Sequence, residues 1–470
     1  MSEVESIHGR QAVGRSARER AKRSEHRAVG NLDRNPVELL QRSSKGRVEA
    51  LIPLRYGRMS ASPFAFFRGS AVLQAHDLSG TPNTGILAPI CGDAHLLNFG
   101  GFATPERQLI FDLNDFDEVA LAPWEWDVKR LAASLAVAAQ HMGFSRGVVT
   151  DLVMTSVGEY RDRMSQYAEC SALELWYERI TFDRMVEAAL TPEGRLLIRK
   201  GMEKAAARTH ESVLNKMAVE RDGRWVVRDA PPMLFHPTGP NSLLSAHSDW
   251  SDSDEWRQKL AKSYHEYLHT LTSDRRELLG KFEIQDIAFK VVGVGSVGTF
   301  CLVVLLVDSW GKPLFLQIKE ARASIVAQFF HMKGPAHEGQ RVVEGQRLLQ
   351  AASDIFLGWA RGPDGRHFYF RQLRDMKVSA EVEQFDANML QGYARMCGWV
   401  LARAHAKASG KAVELAAYMG KGDQFADAIA EYSFAYSKQN EKDYHVFLDA
   451  CRSGELEART DEDMSADFRI

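Results

Sequence analysis

The sequence predicts an α+β fold with two lobes: a small antiparallel β lobe and a large, mainly helical lobe. Three observations carry that expectation. Residues 289–307 and 314–320 are apolar, β-branched runs separated by Gly- and Pro-bearing turns, which read as strands in hairpin order. Segments on both sides of them carry apolar residues at helical spacing, such as Val128, Leu131, Leu135 and Ala138. A chain of 470 residues with 45% hydrophobic content has the length of two or three domains and can bury a large core.

In chain order, residues 1–50 read as a polar extension. Arg15, Arg18, Arg20, Lys22, Arg23 and Arg27 are interspersed with Glu19 and Glu25, which predicts a frayed, solvated helix in preference to an arm for a nucleic acid or a partner. Residues 51–280 form the first part of the helical lobe. Within them Arg68 follows Phe64, Phe66 and Phe67, and it either lines a cleft that meets an anion or caps a buried loop. Helices are expected over 127–140, 148–167, 173–189, 196–219 and 255–279. Residues 222–253, with Pro231, Pro232, Pro237 and Pro240, predict a long surface excursion or a lid. The β lobe occupies 281–374, and 375–470 complete the helical lobe with a helix over 391–407 and a solvated acidic tail over 455–467.

Charge and cysteine content narrow the classes. A net charge of −3 provides no global basic field for nucleic acid. Cys91, Cys170, Cys301, Cys397 and Cys451 are scattered, without C-x-x-C spacing, which disfavours a zinc site or a disulfide framework and suits a reducing cytoplasm. No apolar run reaches transmembrane length, so a soluble protein with no membrane partner is expected.

The chemistry concentrates in two places. In Cys91-Gly92-Asp93-Ala94-His95-Leu96-Leu97-Asn98, an Asp precedes an Asn by five positions, and Asp115 follows at the end of an apolar strand. That is the layout of a phosphoryl-transfer site: Asp93 accepts a substrate hydroxyl proton, while Asn98 and Asp115 hold Mg2+ against nucleotide phosphates, because hard cations take oxygen ligands. His95 and Asp117 stand beside this set as possible contributors, and Asp127 is expected to tie the loop to the helix it opens. Farther on, Gly293, Gly295 and Gly298 have G-x-G-x-x-G spacing around Ser296. A strand follows them instead of a helix, which selects a phosphate-covering hairpin loop over a dinucleotide fingerprint. Lys319, near the end of the strand over 314–320, needs anionic partners, and the helix expected over 337–352 offers Glu344, with Glu338 in reserve. In the strand over 368–373, the backbone at Gln372 and Leu373 is placed to read the adenine of ATP.

The pattern Gly-Asp-x-His-x-x-Asn followed by Asp115 resembles the catalytic half of aminoglycoside-phosphotransferase-like kinases, with Cys91 where that family usually carries His. Leu401-Ala402-Arg403-Ala404-His405-Ala406 resembles the helix that ordinarily leads into this loop, yet here it comes far downstream. The resemblance therefore implies a circularly permuted protein-kinase-like fold, with the β segment as its nucleotide lobe; permutation is tolerated where termini are exposed. The same order is similar to an uncharacterised bacterial family, domain of unknown function 2252, on Arg58-Met59 and on residues 64–69, 92–100, 114–117, 317–321 and 371–377. That family implies no substrate; the kinase resemblance implies an ATP- and Mg2+-dependent phosphotransferase whose partners are a nucleotide and a small-molecule acceptor of unknown identity, with no nucleic acid. A nucleotidyl (AMP) transferase acting on a protein, or a non-catalytic nucleotide-binding regulatory module, are the alternatives; a pure binding module has no use for Asp93.

Overall fold

A computed structural model describes residues 6–189, 191–206, 210–244, 253–332, 334–362, 364–373 and 376–466. Its largest sheet has six antiparallel strands in the order Gly358–Arg361, His367–Gln372, Pro313–Ala321, Cys301–Asp308, Phe282–Lys290 and Leu234–Phe235. The central strand Cys301–Asp308 is apolar on both faces because both faces are covered. Leu302, Val304 and Leu306 enter one core with Tyr267, Leu271 and Leu279, whereas Val303 and Leu305 enter another with Leu214, Ala218 and Val227. This strand period of two explains why residues outside 281–374 belong to the sheet: each face must be buried by something.

The segment 222–253 is thus more than a surface excursion. Ala218–Arg221 and Arg224–Val227 form a hairpin against one face, and Leu234–Phe235 becomes the edge strand. Residues 245–252 lie outside the described set. Helix Ser253–His269 covers the other face, with Tyr267 stacked on Phe370 at 4.1 Å between centroids.

The helical part is built around Glu125–His141, buried on every side from Glu125 to Ala139, Lys129 and Arg130 included. Helix Ala387–Ser409 packs on Arg146–Tyr167 so closely that a Cβ at Gly398 would lie 2.1 Å from the Ser156 carbonyl oxygen. Arg403, on that helix, forms a buried ion pair with Asp112 on strand Leu109–Leu113 and donates to the Leu349 carbonyl at 2.7 Å. Asp112 also accepts from the Ala351 N–H at 2.8 Å. One buried charge pair therefore joins elements from three distant parts of the chain.

Three expectations need correction. The region over 173–189 is two helices, Ala172–Tyr177 and Phe182–Ala188, because the Thr181 hydroxyl caps a new start by accepting from the Arg184 N–H. The N-terminal helix Ile7–Arg20 is docked, not frayed: Arg18 and Arg23 donate to the carbonyls of Ala417, Tyr418 and Met419 at the end of helix Ala412–Met419, and Arg10 pairs with Glu414 at 2.8 Å. Cations there satisfy carbonyls that the helix itself cannot. The acidic tail is also anchored, since Asp461 pairs with Arg58 at 2.7 Å and Met464 is buried in the core that one face of the sheet shares. Among the described residues, no helix is long and apolar enough to cross a membrane.

Candidate functional site

The loop over 91–98 is clamped from beneath. Asp127, in the first turn of its helix, accepts from the Cys91 N–H at 2.8 Å and the Gly92 N–H at 3.0 Å, as its position in sequence suggested. His405 Nε2 lies 3.2 Å from the same carboxylate, and its Nδ1 lies 2.9 Å from the Tyr160 hydroxyl, so this histidine is structural. Gly92 adopts φ +80°, and a Cβ there would meet the Glu118 carbonyl oxygen at 2.2 Å, so only glycine fits. From the far end of the chain, Tyr393 donates to the carbonyls of Leu96 and Phe99.

That clamp presents Asp93. Arg130 Nε donates to Asp93 Oδ1 at 2.8 Å while its other nitrogens donate to Gln74 Oε1 and the Phe67 carbonyl, which fixes the guanidinium and leaves Oδ2 less engaged. His95 Nε2 is 3.9 Å from Oδ2. Its Nδ1 accepts from the Leu97 N–H, so Nε2 carries the proton, and burial pushes the ring down to about 4. His95 is consequently neutral near pH 7 and can orient the Asp93 carboxylate, not replace it as a base.

Asn98 lies behind Asp93 and Asp115, bonding both backbones: its Nδ2 donates to the Asp93 carbonyl at 3.0 Å and the Asp115 carbonyl at 3.1 Å. Its Oδ1 is buried and has no hydrogen-bond partner. An orphaned acceptor of this kind costs about 1–3 kcal/mol unless something fills it, and an amide oxygen on a side chain bonded to the Asp115 backbone has the donor chemistry magnesium takes. No group of three or more His, Cys, Asp or Glu among the described residues could hold a metal by itself. A magnesium ion here would draw on Asn98 Oδ1, Asp115 and oxygens brought by a ligand.

Lys319 is 2% exposed, and its Nζ lies 2.6 Å from Asp117 Oδ2 and 3.8 Å from Asp115 Oδ1. Burial acts to lower its pKa, but Asp115 and Asp117 outweigh burial and hold the ammonium well above its ordinary value. Tyr369 donates to Asp117 Oδ1 at 2.7 Å, and the Ser296 hydroxyl stands 3.5 Å from Oδ2. The pairing with Glu344 is therefore corrected: Glu344 accepts from Gln340 at 2.7 Å, and Glu338 pairs with Arg341. Strand register is the reason. Lys319 sits opposite Tyr369, and both side chains reach the turn over 114–117. Helix Glu338–Leu349 contributes Arg341 there instead, which donates to the carbonyls of Asp117, Val119 and Arg322.

Two cavities meet at this point. One, of about 580 Å³, is lined by Gly293, Lys319, Arg371, Gln372 and Leu373; the other, of about 320 Å³, is lined by Arg68, Asp93 and Gly295; Asp115 and Ser296 line both. Asp117 lines the smaller cavity. Gly298 lines neither and adopts φ +83°, with its carbonyl accepting from the Val48 N–H at 2.8 Å. The expectation at Gln372 and Leu373 needs revision, because their N–H groups already donate to Asp354 Oδ2 and the Phe315 carbonyl. What these residues offer the cavity does not include those donors. Arg68 is half-buried, and its Nε has no partner.

Sequence reasoning missed Arg130, Tyr369 and Arg371. Arg130 had one available signal, a charge pair with Lys129 inside an otherwise apolar helical stripe. Tyr369 and Arg371 had none beyond lying on the strand that pairs with the Lys319 strand.

An α+β protein with an antiparallel sheet, a helical body and an Asp–Asn–Asp–Lys cluster at a cavity junction is the class that this fold and site define. The chain belongs to a bacterial family described as "Uncharacterized protein conserved in bacteria" (DUF2252), whose sequence model matches residues 47–450. No curated protein and no solved structure matches it.

Proposed function

We propose that the protein is an ATP- and Mg2+-dependent phosphotransferase acting on a hydroxyl of a small-molecule acceptor. The observation that carries this reading is the junction: Asp115 and Ser296 line both cavities, with the Lys319 ammonium on one side and the Asp93 carboxylate on the other. Phosphoryl transfer is mostly positioning and charge stabilisation, so it needs a cation for the phosphates, oxygen ligands for a metal and a base for the acceptor across one gap. Lys319 supplies the cation, exchanging Asp117 for phosphate oxygens. Asn98 Oδ1 and Asp115 are the oxygens suited to magnesium, which when bound neutralises phosphate charge. Asp93, oriented by Arg130 and His95, receives the acceptor hydroxyl proton on Oδ2.

Chain order supports a circularly permuted kinase-like arrangement. The loop over 91–98 precedes the sheet, while helix Ala387–Ser409, which meets that loop through Tyr393 and its Asp127 anchor through His405, follows it.

The test is calorimetric titration of ATP, with and without Mg2+, into wild type and Lys319→Ala. Magnesium-dependent binding in wild type, lost in the variant, is expected. Ligand at one hundred times its Kd adds about 2.7 kcal/mol of stability, a rise of a few degrees in Tm. A wild-type protein that binds neither ATP nor any other nucleotide overturns the reading.

A further inference from the structure

We propose that the smaller cavity is an anion site, so that the acceptor is a hydroxyl compound carrying a phosphate or a similarly compact anionic group. The word acceptor rests on the phosphotransferase reading; the anion site does not.

The cavity is lined by Arg42, Lys45, Arg47, Arg55, Arg68 and Arg322. Among the described residues, none of the six forms a direct ion pair with a carboxylate, although Glu118 and Glu320 attract Arg47, and Asp93 and Glu383 attract Arg68, at longer range. Arg47 donates to the carbonyls of Ser43 and Val297, Arg55 to the hydroxyls of Ser43 and Ser44 and the Gly69 carbonyl, and Arg322 to the carbonyls of Ser43 and Lys45. Arg55 is 1% exposed, and its Nε, like that of Arg68, is buried without a hydrogen-bond partner.

Acidic groups also line this cavity, and the hydrogen bonds and ion pairs of each go to other groups. Asp93 is held by Arg130, and Asp117 and Asp115 face Lys319. Glu320 accepts from the Phe300 N–H and lies 3.8 Å from Arg366. Glu118 accepts from the Ile325 N–H, and burial pushes it up to about 7. The hydrogen bonds of Arg47, Arg55 and Arg322 go to backbone and hydroxyl acceptors. Burial first, then the neighbouring Arg55 and Arg322 charges, lower the Arg47 pKa against the opposing pull of Glu118 and Glu320.

Like charges gathered in a partly desolvated hollow are costly unless an opposite charge joins them. Guanidinium forks match phosphate oxygens in number and direction. Because Asp93 lines the same cavity, an anionic group seated on the arginines brings the rest of its molecule, hydroxyl included, to the base. A polycation such as spermidine is repelled.

The test titrates inorganic phosphate and glucose 6-phosphate, with glucose and spermidine as controls, into wild type, Lys319→Ala, Lys45→Gln and Arg322→Gln. Lys45 is exposed, so its variant keeps the test valid if Arg322→Gln fails to fold. Expected are phosphate binding within about twofold of wild type in Lys319→Ala, a loss of about tenfold or more in Lys45→Gln or Arg322→Gln, and no binding of spermidine. Two results overturn the proposal: no phosphate binding to a wild type that still binds nucleotide, or phosphate binding that is lost in Lys319→Ala but kept in the other two variants, which assigns the anion to the larger cavity. Phosphate binding without nucleotide binding overturns the phosphotransferase reading and leaves the anion site standing.

Discussion

The two cavities that meet at Asp115 and Ser296 are made in different ways. The larger takes its character from backbone and from strands: Gly293 and Ser296 of the glycine-rich hairpin, Lys319 in one strand, and Arg371 and Gln372 in the strand beside it, with Leu373 just past its end. The smaller is walled by long side chains from the segment over 42–68 and from Arg322, with Asp93 entering from the clamped loop. Hairpin geometry and pairing register constrain a strand-built site, whereas a site of converging side chains depends on the packing of segments far apart in sequence. The contrast teaches that one side of this site has a sequence pattern and the other has only a charge balance.

The largest expected effect separates the two sides by chemistry. Asp93→Asn keeps the shape of the smaller cavity and removes the base, so turnover falls by about 10²–10⁴-fold while magnesium-dependent nucleotide binding persists. Equal turnover in the variant, measured with any acceptor that wild type uses, sinks the assignment.

A second change removes the buried charge pair that joins three distant segments. Arg403→Ala leaves Asp112 buried without its cation beneath strand Leu109–Leu113, and should destabilise the protein by about 3–5 kcal/mol. Chemical denaturation reads this directly. A loss below about 1 kcal/mol means that the pair does not hold the distant segments together.

Acid should act through buried histidines, His95 beside Asp93 and His26 against Tyr418. His95 titrates at about 4 and His26 at about 3 in the folded protein, both because of burial, against 6.5 for the free side chain. The unfolded chain therefore binds more protons as pH falls from about 6.5 towards 4, and stability falls with it, by about 1.4 kcal/mol per pH unit for each histidine. His95→Gln should show a shallower decline than wild type in denaturation midpoints taken between pH 7 and 5. Parallel declines rule out a His95 contribution.

The smallest effect divides the glycine-rich loop itself. Gly293 and Gly298 have φ of +65° and +83°, so alanine at either costs about 1 kcal/mol. Gly293 lines the larger cavity, while a Cβ at Gly298 would come within 3.2 Å of the Arg47 Cβ. Gly293→Ala should weaken nucleotide more than phosphate, and Gly298→Ala the reverse. Identical effects of both substitutions on both ligands would erase the distinction.

Much of the fold was legible because its signals are local. The run over 299–307 reads as strand by composition, and Cys301–Asp308 is one; Val128, Leu131, Leu135 and Ala138 mark a helix, and Glu125–His141 is one. The Asp127 tie followed from an Asp at the start of a helix close behind a Gly-bearing loop. The N-terminal arginines misled because their acceptors are carbonyls near residue 418, and no local pattern announces a carbonyl waiting at the end of another helix. The acidic tail misled in the same way, through Arg58.

By itself the sequence determined which segments form strands and helices, and which residue types gather around Asp93, because spacing and side-chain chemistry are properties of neighbours in the chain. Only tertiary structure decided that Lys319 meets Asp117 instead of Glu344, that Gln372 and Leu373 have spent their N–H groups, and that six cations line one hollow. Those outcomes depend on strand register and on which distant segments pack together, and a side chain finds its partner across space, where sequence separation carries no distance.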